Sequence, residues 1–262
     1  MKLRYAGQRL EALPFGNKRE LEQADRVVFE KVRASIFKEG HPMLAAICEQ
    51  MSGTVVYGDV TFPHTEETEG SSFGDIYSAF AEDRGTWLVF TGNLEVERSM
   101  SVEKGMPVAV LGDVRTPGLV NMQGELFIEG STMVPGALFF DSGNGGITKL
   151  TLVEPAGLIV TQSNVFEIDL RARYYLDPLF NCGFAGAPTT RHEEIIQERF
   201  ADAAQPPTLV TLDTLADYFT SCGFTNMGAR VRGGDYATPL WTLVSKLDSR
   251  ELVRFLDARP RA

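Results

Sequence analysis

Residues 108–116 read VAVLGDVRT, a glycine and an aspartate set among apolar residues that alternate along the chain. A glycine among alternating apolar residues occurs three more times, in VVYGDVTF (55–62), LVFTGNLEV (88–96) and LFIEGSTMV (126–134). The glycines of the four copies are 34, 20 and 18 residues apart, at Gly58, Gly92, Gly112 and Gly130. A repeat near twenty residues with alternating apolar positions is typical of a solenoid, in which each repeat forms one coil.

Strand-forming sequence continues from Trp87 to about Leu170, with apolar residues at nearly every second position between glycine, proline and asparagine turns. We therefore predict a mainly β fold, a parallel β-helix of about five to six coils within residues 54–188. Glycine at each corner permits positive φ. An antiparallel sandwich is the alternative, but it needs hairpin turns about every eight to twelve residues, roughly half the spacing of this repeat.

Helical sequence precedes the repeat. Between Asn17, which can cap a helix, and Phe37, apolar residues recur every three or four positions and form one face: Leu21, Ala24, Val28, Val32 and Ile36. A second short helix is predicted for PMLAAICEQM (42–51), with proline in its first turn. We expect residues 1–53 to form a helical cap over the open end of the solenoid, where backbone groups would otherwise stay unpaired.

The C-terminal region, residues 189–262, is also predicted to be helical. Thr190 with Glu193 and Asp248 with Glu251 have the spacing of capping boxes, and Gly223 follows LDTLADYFTSC as a helix-terminating glycine. These helices are expected either to cap the far end of the coils or to form a small appended module.

The first interval of the repeat is about fifteen residues too long, which predicts an insertion at residues 63–85 between two coils. Insertions of this kind project from one face of a solenoid, often the binding face. Six acidic residues lie in it: Glu66, Glu67, Glu69, Asp75, Glu82 and Asp83.

Charge is concentrated in the same part of the chain. Between Glu39 and Glu97 there are eleven acidic residues and one base, Arg84, which accounts for the whole formal net charge of −10. Such a negative field repels nucleic acid and anionic membranes and accelerates encounter with a basic protein. A solvated face that only keeps the protein in solution is the alternative interpretation.

Several classes of protein are disfavoured by composition. The longest apolar runs are shorter than ten residues, against the roughly twenty that cross a bilayer, and the N-terminus does not resemble a signal peptide, so we expect a cytoplasmic protein. The three histidines and three cysteines do not have metal-ligand spacing, and we expect neither a metal nor another cofactor: His41, His64, His192, Cys48, Cys182 and Cys222.

Catalytic signatures are absent as well. The HExxH motif of zinc proteases begins at His192 but has Ile196 where the second histidine must stand, and no GxSxG nucleophile elbow occurs. We therefore expect no catalytic residues. A polysaccharide-acting β-helix enzyme stays the alternative, with carboxylates along one groove at Asp59, Asp113 and Asp141.

The glycine repeat, from TWLVFTGNLEVERSM through VAVLGDVRTPGLV to ELFIEGSTMVPGALFF, resembles the bacterial polymer-forming, bactofilin-like β-helix proteins over about residues 54–170. Relatives with helices before and after the coils resemble it more than the uniform bactofilins do. Such relatives are linked to toxin systems, type VI secretion among them, and the resemblance implies an immunity protein that binds and blocks a secreted toxin. A bactofilin-like structural scaffold is the second implication.

Charge and resemblance together predict a protein partner with a basic surface, such as a nuclease-type toxin, and no binding to nucleic acid or membrane. The oligomeric state stays open, a homo-oligomer included. The residues expected to contact the partner lie in the insertion: Glu66, Glu67, Glu69, Phe73, Asp75, Tyr77, Glu82 and Asp83. For the aromatic members, burial in the core is the competing prediction, because a helix laid on a solenoid must bury one face.

Overall fold

In the computed structural model of the chain, the described residues are 4–5, 8–9, 18–37, 53–63, 77, 85–141, 147–161, 171–176, 205–235, 238–239, 242–243 and 248–259. Their helices are α1 (Lys18–Phe37), α2 (Leu212–Ser221), α3 (Thr225–Arg232) and α4 (Ser249–Asp257). Two short N-terminal strands, β1 (Arg4–Tyr5) and β2 (Gln8–Arg9), pair antiparallel, a feature that the sequence analysis did not predict.

The centre of the molecule is a three-sided β-solenoid. Face A is formed by β3 (Gly53–Val56), β5 (Trp87–Phe90), β8 (Val108–Val110) and the first parts of β11 (Glu125–Met133) and β13 (Ile147–Leu152). Face B is formed by β4 (Val60–Phe62), β6 (Leu94–Val96), β9 (Val114–Arg115) and the second parts of β11 and β13. Face C is formed by β7 (Met100–Glu103), β10 (Leu119–Met122), β12 (Ala137–Asp141), β14 (Ala156–Thr161), β15 (Ala172–Leu176) and β16 (Thr208–Leu209).

Every pairing between neighbouring strands from β3 to β16 is parallel, which confirms the predicted solenoid and shows that the sandwich alternative is wrong. Residues 87–161 form four complete coils. The predicted number of five to six is not confirmed, because β3 and β4 have no described face C strand and β15 and β16 extend face C alone.

Aliphatic and aromatic columns fill the interior. On face A, Leu88, Val108 and Leu126 are aligned across three coils, and Phe90, Val110 and Ile128 form the next column. On face C, Met100, Leu119 and Leu138 are aligned in the same way. All nine side chains are buried in one core cluster. Alternation along each strand directs these residues inward, and their burial supplies the main stabilisation of the coils.

Helix α1 packs on the outside of face A. Its Val28, Phe29 and Val32 contact the outward-facing side chains of this face, which include Trp87 and Phe127. Tyr57, just after β3, donates a hydrogen bond of 2.7 Å from its hydroxyl to Asp25 Oδ1 in the helix. Burial and this carboxylate raise the pKa of Tyr57. The apolar stripe predicted for this helix therefore covers the side of the solenoid, and the predicted cap over its end is not confirmed.

Helices α2 to α4 cover the outside of face C. Phe139, Leu158 and Val160 point away from the interior and form a second core cluster with residues of all three helices. Two predicted helix ends are confirmed: Asp248 accepts a hydrogen bond from the backbone of the first turn of α4, and Gly223 follows α2 with a positive φ. Thr211 caps the start of α2, which was not predicted, and the predicted pair Thr190 and Glu193 lies outside the described residues. The described C-terminal helices thus lie against a sheet face, and the predicted C-terminal cap is not confirmed.

Candidate partner-binding surface

The four repeated glycines stack in one column at the corner between faces A and B. A Cβ atom on Gly92 would lie 2.4 Å from the carbonyl carbon of Gly58, and one on Gly112 would lie 2.4 Å from that of Gly92. A Cβ on Gly130 would lie 2.3 Å from the carbonyl oxygen of Gly112. Each of these three coils therefore approaches the preceding one so closely that only glycine fits, whereas Gly58, in the first coil, has a positive φ instead.

The residue after each of the first three glycines links its coil to the next through its side chain. Asp59 Oδ1 accepts a hydrogen bond of 2.7 Å from the Asn93 N–H, and Asn93 Oδ1 accepts one of 2.9 Å from the Asp113 N–H. Asp113 Oδ1 in turn accepts one of 2.8 Å from the Ser131 N–H. We call these residues the Asx ladder. It satisfies backbone donors that the corner would otherwise leave without a protein partner.

The ladder gives two of the carboxylates considered for an enzyme a structural role. Asp59 and Asp113 each use one oxygen to hold the next coil. Asp141 is the last residue of β12, on face C rather than at this corner. The structure therefore places Asp141 on a different face from Asp59 and Asp113, and the enzyme alternative stays an untested prediction.

The described residues also bear on the requirements of a metal site and of an acid catalyst. Among these described residues, no group of three or more His, Cys, Asp or Glu side chains is arranged to hold a metal ion. The pKa of Glu125, at the start of β11, is raised, mainly because burial disfavours its charged form.

Face B is the solenoid face that no described helix covers. Its outward side chains form one row across four neighbouring strands, in the order Thr61, Glu95, Arg115 and Met133. Glu95 and Arg115 are exposed, and Thr61 and Met133 are half-buried. Val153, which follows β13, is 51 % exposed beside this row. Because the faces under the helices are apolar outside and this one is charged, face B is the described surface best suited to a polar partner.

The predicted insertion leaves the fold at the edge of face B. Strand β4 ends at Phe62, whose carbonyl oxygen accepts a hydrogen bond of 3.0 Å from the N–H of Glu97. The chain returns at Gly85, whose N–H donates to the Gly105 carbonyl at 2.8 Å. The acidic residues predicted to contact a partner lie between these two points, outside the described residues, as does Phe73: Glu66, Glu67, Glu69, Asp75, Glu82 and Asp83.

Tyr77 is the predicted contact residue that the structure describes. Its side chain is 1 % exposed and belongs to the core cluster of the solenoid interior, and its hydroxyl donates a hydrogen bond to the Thr86 carbonyl. This position agrees with the competing prediction that the aromatic residues of the insertion are buried. Tyr77 therefore anchors the insertion to the coils and does not present a surface to a partner.

The structure has a second glycine-containing corner that was not predicted from the sequence. Between faces B and C, a glycine follows proline in successive coils, at Pro117-Gly118 and Pro135-Gly136, and α4 packs against it. Ser249, at the start of α4, donates to the Pro117 carbonyl and accepts from the Ala137 N–H, both at 3.0 Å. The 18-residue interval between Gly118 and Gly136 could have indicated this corner from the sequence. The docking of Ser249, 112 residues after Ala137, could not have been predicted from it.

Comparisons of the chain with protein families, with curated proteins and with solved structures find no match. The resemblance to bactofilin-like β-helix proteins therefore rests on the short glycine motifs. In the described part of the chain, no helix is long and apolar enough to cross a membrane.

Proposed function

We propose that the protein is a non-catalytic immunity protein that binds a basic bacterial toxin in the cytoplasm and covers its active surface. The observation that supports the proposal is the point at which the chain enters the acid-rich segment, next to the face that no described helix covers. Glu95 and Glu97 are exposed on face B, and the insertion with its six acids begins beside Glu97, after Phe62 and Pro63. The acid-rich segment therefore follows directly after the edge strand of this sheet, β4.

The mechanism is occlusion assisted by electrostatic steering. Toxins that act on nucleic acids present basic surfaces to a polyanionic substrate, and a rigid acidic protein competes for those surfaces. Steering raises the association rate and makes it sensitive to salt. The interface in this proposal consists of the acidic residues of the insertion together with its described neighbour Glu97.

The test uses the toxin domain encoded by a neighbouring gene, co-expressed with this protein in a bacterial host and also purified for binding kinetics. Replacement of Glu66, Glu67 and Glu69 by lysine should slow association by about tenfold or more at low salt and weaken its salt dependence. The matched control reverses three exposed acids outside the acidic segment, Glu30, Glu154 and Asp213, and should retain protection.

Wild-type protein that neither protects the host nor binds the toxin domain would refute the proposal. Equal loss in the insertion variant and the control would show that net charge, and not the acidic segment, governs binding. Thermal unfolding of each variant identifies any loss that arises from misfolding.

A further inference from the structure

The row of outward side chains on face B can pair with a second copy of itself that runs in the opposite direction. Thr61, Glu95, Arg115 and Met133 are aligned by the backbone register of β4, β6, β9 and β11. Neighbouring strands lie about 4.8 Å apart, so the row is roughly 14 Å long. In one direction it presents a hydroxyl, an acid, a base and a thioether, and reversal places the base opposite the acid.

The two charged residues at the centre of the row form no ion pair with another described residue. Glu95 and Arg115 occupy paired positions on adjacent strands, yet the structure shows no ion pair between them or with another described residue. Six exposed arginine–carboxylate pairs do form elsewhere in the described chain, five of them among residues 205–259 and one between Arg173 and Asp257. The charges on face B therefore remain available to a second molecule.

We propose that a second copy of the chain packs its face B on this face, about a twofold axis that runs parallel to the strands between β6 and β9. Glu95 of each copy then faces Arg115 of the other, and Thr61 faces Met133. A twofold contact repeats each pair, so one complementary pair of residues supplies two ion pairs. The inference does not depend on the proposed toxin partner.

Charge decides where the axis lies. An axis along β9 would place Arg115 against its own copy, and an axis along β6 would do the same with Glu95. Like charges that face each other directly are unfavourable. The axis between β6 and β9 is therefore favoured over an axis along either strand.

The size of the contact sets its strength. Four strands about 4.8 Å apart and three residues of about 3.3 Å each give a footprint of roughly 200 Å² of sheet per copy. Stable interfaces bury about 800 Å² per partner. The dimer is therefore weak, forms at high protein concentration and dissociates as salt is raised, because exposed ion pairs are screened.

Sedimentation velocity of the full chain between about 10 µM and about 1 mM, at low and high salt, tests the inference. Glu95→Arg and Arg115→Glu should each raise the dissociation constant on the order of tenfold, because each replaces two attractive contacts by two repulsive ones. The double variant should restore it. Glu30→Arg and Arg26→Glu make the same charge changes on exposed positions of α1 and should have no effect.

Three results would overturn the inference: a monomer at every concentration, single variants that dimerise as the wild type does, or a double variant that stays as weak as the singles. If a single variant fails to fold by thermal unfolding, Glu95→Gln and Arg115→Gln replace it, since they remove the attraction without introducing repulsion. Loss of toxin protection with an intact dimer would count against the proposed function alone.

Discussion

Asp113 Oδ1 accepts a hydrogen bond from the backbone N–H of Ser131, 18 residues later in the sequence and one coil further along the solenoid. Asp113→Ala should lower the free energy of unfolding by about 1 kcal/mol, a typical net value for one hydrogen bond. Asp113→Asn keeps an acceptor at the same place and should cost less. Urea unfolding of both variants measures the difference, and equal losses would contradict the role of the ladder.

The glycine column predicts a specific order of tolerance. Gly112→Ala places a Cβ 2.4 Å from backbone atoms of the preceding coil, whereas a Cβ on Gly58, in the first coil, would meet no atom within 4 Å but would have to adopt φ of +83°. We expect Gly112→Ala to cost roughly 3 kcal/mol and Gly58→Ala only about 1–2 kcal/mol, from backbone strain. Thermal unfolding compares them; Gly58→Asn, which tolerates this φ, should be milder still. A reversed order would contradict the close stacking of the corners.

Two buried threonines should respond oppositely to valine. The Thr132 hydroxyl has no hydrogen-bond partner among the described residues, and Thr132 is 0 % exposed. The Thr116 hydroxyl lies 2.9 Å from the Arg98 carbonyl oxygen and 2.8 Å from that of Gly118. Thr132→Val should stabilise the protein by about 1 kcal/mol, because it removes an unsatisfied polar group, and Thr116→Val should destabilise it by a similar amount. The denaturant midpoints of the two variants test this prediction. If both variants are less stable than the wild type, the Thr132 hydroxyl has a further hydrogen-bond partner.

Ser249 joins α4 to the corner between faces B and C. Ser249→Ala removes the acceptor of the Ala137 N–H and the donor to the Pro117 carbonyl in a fully buried setting. We expect a loss of about 2–3 kcal/mol. Ser221→Ala, at the exposed end of α2, is the matched control and should change stability by less than about 0.5 kcal/mol. Hydrogen exchange of α4 should accelerate in the first variant alone.

The raised pKa of Glu125 predicts a pH-dependent effect. A carboxyl whose pKa is higher in the folded state than its ordinary 4.5 destabilises the fold when both states are ionised. This penalty is present above the folded-state pKa and disappears as the pH falls to the unfolded-state value. Glu125→Gln should therefore be more stable than the wild type at pH 7 and equal to it below about pH 4.5. A stability difference that does not vary with pH would contradict burial as the cause.

How far the sequence predicts this fold differs between local and remote features. The glycine repeat predicted the coils because a close approach of stacked corners leaves only glycine at Gly92, Gly112 and Gly130. The position of the helices was not predictable in the same way. An apolar stripe such as that of Val28 and Val32 shows that a helix is covered, but not by which surface. Face C is apolar on both sides, so alternation along its strands does not reveal that Leu158 and Val160 point outward.

The sequence by itself determined the parallel coils, the corner glycines, the glycine that ends α2 and the Asp248 cap of α4, because each depends on residues close in the chain or on a regular period. Only the tertiary structure decided which faces the helices cover, that Asp59 and Asp113 hold neighbouring coils together, and that Glu95 and Arg115 share the uncovered face. Those relationships depend on the register between coils and on docking of residues more than a hundred positions apart, which no local pattern encodes.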